Sequence, residues 1–142
     1  MRRINHPWVN DEEWPLLCVR FADTGTIDDV VSLFKAVETF YASNTQPFAW
    51  VVDAGGIGIV DAKVRQVTAS HEERTKLHKA RFNQGSAFVI KSPMARGIVT
   101  AIFWIAPPVY RHEVVSNFES ARAWALAQLQ RPAADRAAAS DR

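Results

Sequence analysis

Gly85 to Ala106 reads GSAFVIKSPMARGIVTAIFWIA, and this stretch decides the fold. Ala87-Phe88-Val89-Ile90 is a short, unbroken apolar run rich in β-branched and aromatic side chains. Such a run predicts a strand covered on both faces. Ser92 suits the residue before a helix, because its hydroxyl can accept from a free N–H of the first turn. Pro93 suits the first helical position, where its missing N–H costs nothing. From Ile98 onward the helix is apolar almost all round, and Pro107 and Pro108 stop it. A strand that feeds a helix through so short a turn is half of a βαβ unit.

The same alternation extends outward in both directions. Upstream, Trp14 to Phe21 predicts a strand with Leu17, Val19 and Phe21 on one face and Leu16, Cys18 and Arg20 on the other. Pro15 puts it at an edge or at the very start of the strand. Residues 1–13 are polar with one aromatic anchor, Trp8, and are expected to add an edge strand or lie as an ordered arm. Thr26 is a candidate N-cap for a helix over 27–43, with Asp28 and Asp29 favouring its positive end. Ile27, Val30, Val31, Phe34, Val37 and Tyr41 form its apolar stripe. Phe48 to Val52 is a second buried strand, ending at Asp53.

A long helix from about Asp61 to Asn83 follows. Val64, Val67, Leu77 and Phe82 are its only large apolar residues, so it is expected to lie on the sheet through a narrow stripe. After the organising stretch, Tyr110 to Val115 predicts a last strand. Ser116 and Glu119 have capping-box spacing at the start of a final helix reaching about Gln130. The tail, 131–142, lacks large apolar residues and is expected to be flexible. The order β-α-β-α-β-α-β-α predicts an α/β domain over 1–130. Its sheet should be four- to five-stranded, mostly parallel or mixed, with four helices and right-handed crossovers.

Composition narrows the function classes. The chain has 142 residues, 48% hydrophobic and 23% charged, as in an ordinary globular domain. A net charge of +2, mixed in sign along the chain, does not make the clustered basic face that nucleic acid requires. A lone cysteine, Cys18, excludes an internal disulfide and fits a reducing compartment. No apolar run approaches the ~20 residues that span a bilayer, and the start MRRINHPWVNDEEW has no apolar signal core. A bacterial-type cytoplasmic protein is the expectation.

Ligands of open α/β sheets gather at the carboxyl ends of parallel strands. There Asp53, Asp61, Lys91, Ser92 and Arg96 form a candidate anion or ligand site, with free amides at a helix start beside two cations. The plainer reading is that Ser92 merely caps its helix and the cations are solvated. Gly55-Gly56-Ile57-Gly58 matches no phosphate-loop pattern and reads as a turn. His71 and His78 are seven apart on one helix, about 10.5 Å along its axis, too far for one metal ion. They are expected to be partly buried and hydrogen-bonded, or to form a surface patch. Neither Cys18 nor any serine has the context of a nucleophile. No cofactor is implied, and nothing argues for an enzyme.

The helix after Pro93 offers more. Met94, Ile98, Ile102 and Ile105 share one face, and Val99, Phe103 and Ala106 another. Either neighbours sandwich it, or one face meets a partner or an apolar ligand. Met94, Ile98, Val99, Ile102, Phe103 and Trp104 are the candidate partner face. Gly97 would let another backbone come close.

Taken together, the element order, the strand FAWVVD ending in Asp53, the long polar helix with Arg65, the segment GSAFVIKSPMARGIVTAIFW and the close NFESARAWALAQL resemble the SpoIIAA-like group of the STAS fold (sulfate transporter and anti-sigma-factor antagonist) over residues 14–130. The resemblance implies a non-catalytic regulatory domain that binds a protein. Signalling members carry Asp-Ser-Ser-Gly at a helix start, with a phosphorylatable serine. Here the comparable place reads Val60-Asp61-Ala62-Lys63-Val64, so Asp61 is kept and no hydroxyl stands where the serines would be. The expected function is therefore partner binding, self-association as a homodimer included, without that switch. The alternative is a small apolar, lipid-like or anionic ligand. The similar architecture of Sec14-type lipid-binding domains would make Phe103, Trp104 and Trp124 its lining.

Overall fold

The computed structural model describes residues 3–22, 25–54 and 62–132. The elements are β1 (Val9–Asn10), β2 (Leu16–Arg20), α1 (Ile27–Ser43), β3 (Phe48–Asp53), α2 (Ala62–Phe82), β4 (Asn83–Val89), α3 (Pro93–Ile105), β5 (His112–Val115) and α4 (Phe118–Leu129). They build one five-stranded sheet in the order β1-β2-β3-β4-β5. The β1–β2 pair is antiparallel and every other pair is parallel. This is the predicted α/β class with its mixed sheet and four helices.

Residue alternation sorts the sheet into two faces. Leu17, Val19, Phe48 and Trp50 join the cluster beneath α1, with Val30, Leu33, Phe34, Val37 and Tyr41. Leu16, Ala49, Val51, Ala87 and Val89 join a second cluster beneath α4. Ala121 and Ala125 of α4 are fully buried there, and such small side chains let helix and sheet approach closely. Gly85 serves the same approach: a Cβ at this position would lie 2.9 Å from Trp124 ring carbons and 2.8 Å from Gln128 Cγ. Val52 and Phe88 are register partners on the α1 side, and Phe88 packs against Phe103 of α3, 5.3 Å between ring centroids. So α1, α2 and α3 cover one face and α4 the other. Each crossover steps the sheet in the same direction with its helix on the same face, so all three share one hand.

The N-terminal residues do both things expected of them. β1 adds the edge strand, and the Asp11 carboxylate accepts from the backbone N–H groups of Arg3 and Ile4, which pins the arm. Ile4 is fully buried, and Trp8 packs edge-on to Phe21.

Three expectations need correction. The final helix is capped by Asn117 and not by Ser116; the Asn117 side chain accepts from Ser120 N–H at 2.8 Å from an extended backbone. The second correction concerns α2, whose buried residues are His71, Thr75 and Lys79, a polar stripe at four-residue spacing. Leu77 is 87% exposed, and only Val67 and Phe82 reach the core. The reason is the neighbour: α2 packs on α1, and at mid-helix α1 presents the Glu38 carboxylate, which favours polar partners. Third, α3 is not sandwiched. Val99 is its one buried residue, because the sheet ends at the short strand β5 beneath it.

Candidate functional site

The carboxyl ends of β3 and β4 meet as the topology requires, with Ala54 N–H donating to Val89 C=O at 3.4 Å. Asp53 closes β3 and forms an ion pair with Arg20 at 3.2 Å on its register partner strand. Ser92 caps α3 by accepting from Ala95 N–H at 3.3 Å. Arg96 folds back, its Nη1 donating to the carbonyls of Ile90 at 3.0 Å and Lys91 at 2.9 Å. That guanidinium ties the first turn of α3 to the end of β4 and is not directed at an incoming anion. Lys91 is exposed. Asp61 and the Gly55–Gly58 turn lie outside the described residues. The strand ends thus bring Asp53, Ser92, Lys91 and Arg96 to one edge, with the carboxylate, the hydroxyl and the guanidinium each in a structural bond.

A second polar group surrounds His71, hydrogen-bonded to a partner that its own helix does not supply. It forms a seam between α1 and α2. Glu38 accepts from His71 Nδ1 at 2.7 Å, Arg74 Nε at 2.8 Å and Arg74 Nη2 at 3.1 Å. The carboxylate is acceptor only, so the imidazole carries its proton on Nδ1. The same ring stacks on Phe34, centroids 4.0 Å apart and 7° from parallel. Burial, then the nearby Lys79 cation, lowers the His71 pKa to about 4 against the pull of Glu38. The Arg74 hydrogen bond holds the Glu38 carboxyl below its ordinary range. Two turns on, buried Lys79 donates to Glu72 at 2.9 Å and sits 5.7 Å from the Tyr110 ring centroid. Burial pulls this ammonium below its usual value while Glu72 works against the shift. Desolvation raises the Tyr110 and Tyr41 phenols, and Tyr41 Oη accepts from Trp50 Nε1 at 2.8 Å.

Perturbed groups of this kind often mark catalysis. Here they are arranged as a seam. His71 and Lys79 are eight residues apart on one helix, about 12 Å along its axis. Each faces its own carboxylate, and the His71 ring is closed off by Phe34. His78 is hydrogen-bonded too, accepting from Asn44 Nδ2 at 3.2 Å between the rings of Tyr41 and Phe82. Among the described residues no cluster of His, Cys, Asp and Glu is placed to hold a metal ion. The sequence carried half of the signal: a 21-residue helix without a large apolar stripe must bury polar groups, while their partners on α1 are distant in sequence.

The outer side of α3 is the third feature. Trp104 and Ile105 are 86% exposed and Met94 77%, with Ile98 and Ile102 also exposed. Val99 and Phe103 point to the sheet, where Phe103 meets Phe88 and, at 4.7 Å, His112. Of the predicted partner face, then, four residues face outward and two face the core. Helical spacing puts Met94, Ile98, Ile102 and Ile105 in one outward row, with Trp104 at its rim. The exposed large side chains amount to on the order of 500 Å² of apolar surface, the size of the largest patch on a typical monomer.

No protein-family model, no curated protein and no solved structure matches this chain. The side chains alone therefore carry the functional reading. Among the described residues no helix is long and apolar enough to cross a membrane. Phe103 and Trp124 lie on opposite faces of the sheet, one against Phe88 and the other against Gly85, and Trp104 faces outward, so the three do not line one cavity. Cys18 is half-buried, and burial followed by the Glu13 carboxylate raises its thiol to about 11. Native protein at pH 8 is expected to react with iodoacetamide about a hundredfold more slowly than urea-unfolded protein. Equal rates would show an open, unshifted thiol.

Proposed function

We propose that this chain is a non-catalytic binding domain of SpoIIAA-like, STAS type, which works by attachment to a protein partner through the outer side of α3. The observation that carries the proposal is the placement of the most apolar helix. Its sequence would suit a core, yet one whole side of it faces solvent. The largest exposed apolar patch on a monomer is often functional, and here it is concentrated on one side of one helix. The successive parallel βα units support the family reading. The start of α2 at Ala62 and Lys63 departs from the signalling members, since it offers no hydroxyl to phosphorylate; the domain would bind constitutively. A small-ligand reading has less support, because Arg96 is engaged with carbonyls and the aromatic residues do not converge.

A stability contrast tests whether this side of α3 is a working surface. Ile105→Lys should change the stability of dilute protein by less than about 0.5 kcal/mol, since the side chain is outside and a cation suits a helix C-terminus. Val99→Lys, on the buried side of the same helix, should cost several-fold more or prevent folding. The two are compared by thermal unfolding followed by circular dichroism. Comparable destabilisation by both substitutions would show that the outer side is part of the core, and the proposal would fall.

A further inference from the structure

We infer that the partner seated on α3 is a second copy of this chain, docked with the two α3 helices antiparallel about a two-fold axis between Gly97 and Ala101. This rests on the reading of α3 as a docking face and names its occupant. Three observations lead to it.

The first is area. About 500 Å² from the large side chains, extended by exposed Ala101, Ala106 and Val109, reaches the low end of what each partner contributes to a specific interface. An isologous contact needs only one such patch, because the same surface serves both copies. The expected dimer is weak, with dissociation on the order of micromolar.

The second is the profile along the helix. Large side chains run along the outward row, Met94, Ile98, Ile102 and Ile105, and the most exposed of them, with Trp104, stand toward the two ends. Beside the middle of that row, Gly97 and Ala101 make a flank of small residues. A Cβ built on Gly97 would meet nothing within 4 Å, so this notch opens to solvent. An antiparallel copy brings Gly97 of one helix opposite Ala101 of the other. The backbones can then approach closely, and Met94 crosses Trp104 and Ile105 of the other copy.

The third is charge. α3 has no basic residue in its last turn, and Pro107 and Pro108 bring no N–H groups to its terminal carbonyls. Exposed Lys91 stands just before its first turn. Antiparallel docking carries Lys91 of each copy to the carbonyl end of the other α3, where a cation is favoured, and opposes the two helix dipoles. Parallel docking would set Lys91 against Lys91 and Arg111 against Arg111. No Asp or Glu occurs from Asn83 through His112 to relieve that repulsion. The same acid-free run could suit an anionic bilayer. However, Arg96 is turned inward, which leaves only Lys91 and Arg111 as exposed cations, fewer than an interfacial helix uses.

Sedimentation velocity of the full chain, from micromolar to hundreds of micromolar, should show a monomer–dimer equilibrium that Ile105→Lys shifts at least tenfold toward monomer. Orientation is read by oxidative cross-linking in a Cys18→Ser background. Ala101→Cys should form a disulfide between copies. Met94→Cys should not, because antiparallel helices separate the two copies of that residue by about 15 Å along the axis. A dimer cross-linked through Met94→Cys would overturn the antiparallel docking. A chain monomeric throughout, yet pelleted by phosphatidylcholine vesicles containing phosphatidylglycerol in an Ile105-dependent way, would overturn the second copy as partner. It would leave the docking face standing, which the Ile105→Lys and Val99→Lys contrast tests separately. A monomer that also ignores the vesicles would overturn the inference outright.

Discussion

Truncating Phe48 to alanine is expected to cost about 3–5 kcal/mol of unfolding free energy, a large share of the roughly 5–15 kcal/mol that holds a domain together. Phe48 is fully buried at the start of β3, and three rings from two helices converge on it. Tyr41 of α1 stacks on it at 5.3 Å and 20°, and Phe40 meets it edge-on at 6.3 Å. His78 of α2 lies nearly parallel to it at 5.9 Å. The cavity left by alanine cannot close easily. Tyr41 is tied by its hydroxyl to Trp50 Nε1, and His78 is held by Asn44. A cavity whose walls are fixed by hydrogen bonds keeps most of its cost. Urea unfolding followed by tryptophan fluorescence measures the loss, and Phe48→Leu should lose less than half as much. A Phe48→Ala cost below about 1 kcal/mol would mean that the stack rearranges freely, contrary to the bonds that anchor it.

What the sequence disclosed follows from which forces act locally. Strands β2 and β3 were legible because burial on one or both faces writes itself into residue alternation. Leu17 and Val19 against Leu16 and Cys18 separate as the period of two requires. The α1 start was legible because Thr26 and Asp29 satisfy each other's backbone groups within one turn. The α2 seam was hidden because Glu38 and His71 are 33 residues apart, and nothing local announces that they meet. An apolar-residue count for α2 therefore selected Leu77, which is outside, and passed over Thr75, which is inside. The fate of α3 was hidden for another reason. Periodicity reports that a side is apolar and is silent on what covers it. The limit of the sheet at β5 leaves that side open, and only the assembled topology shows it. At the candidate anion site, the sequence places Arg96 one turn into α3 and leaves the direction of its guanidinium open. That direction depends on carbonyls left free at the end of β4.

Acid should weaken this protein well before ordinary carboxylates titrate. In the unfolded chain His71 takes up its proton near pH 6.5, whereas in the folded chain it does so only at about 4. Between these values the unfolded state binds more protons, so stability falls as pH falls through the window and is unaffected by this group above it. The separation of the two values corresponds to about 3 kcal/mol, lost progressively from pH 6.5 to 4. His78 adds to the loss in the same direction, because burial and then Arg81 lower its pKa also. Glu38 contributes in the same sense at lower pH. Its carboxyl is held below its ordinary value of 4.5 by Arg74, so its stabilisation is present above that value and disappears beneath it. All three groups lie on the α1–α2 side, so the loss concentrates where α2 is held by polar pairs rather than by an apolar stripe. Urea titrations at pH 7 and pH 4.5 measure the total, and imidazole proton resonances assign it to His71 by showing the ring still neutral at pH 5.5. His71→Asn places an amide nitrogen where Nδ1 donates to Glu38 and removes the titrating ring. It should start less stable at pH 7, for want of the Phe34 stack, yet lose much less between pH 6.5 and 4.5 than the parent does. A His71 ring that titrates at its ordinary value would contradict the burial and partners assigned to it. So would an undiminished pH slope in His71→Asn, because the loss would then come from groups outside the seam.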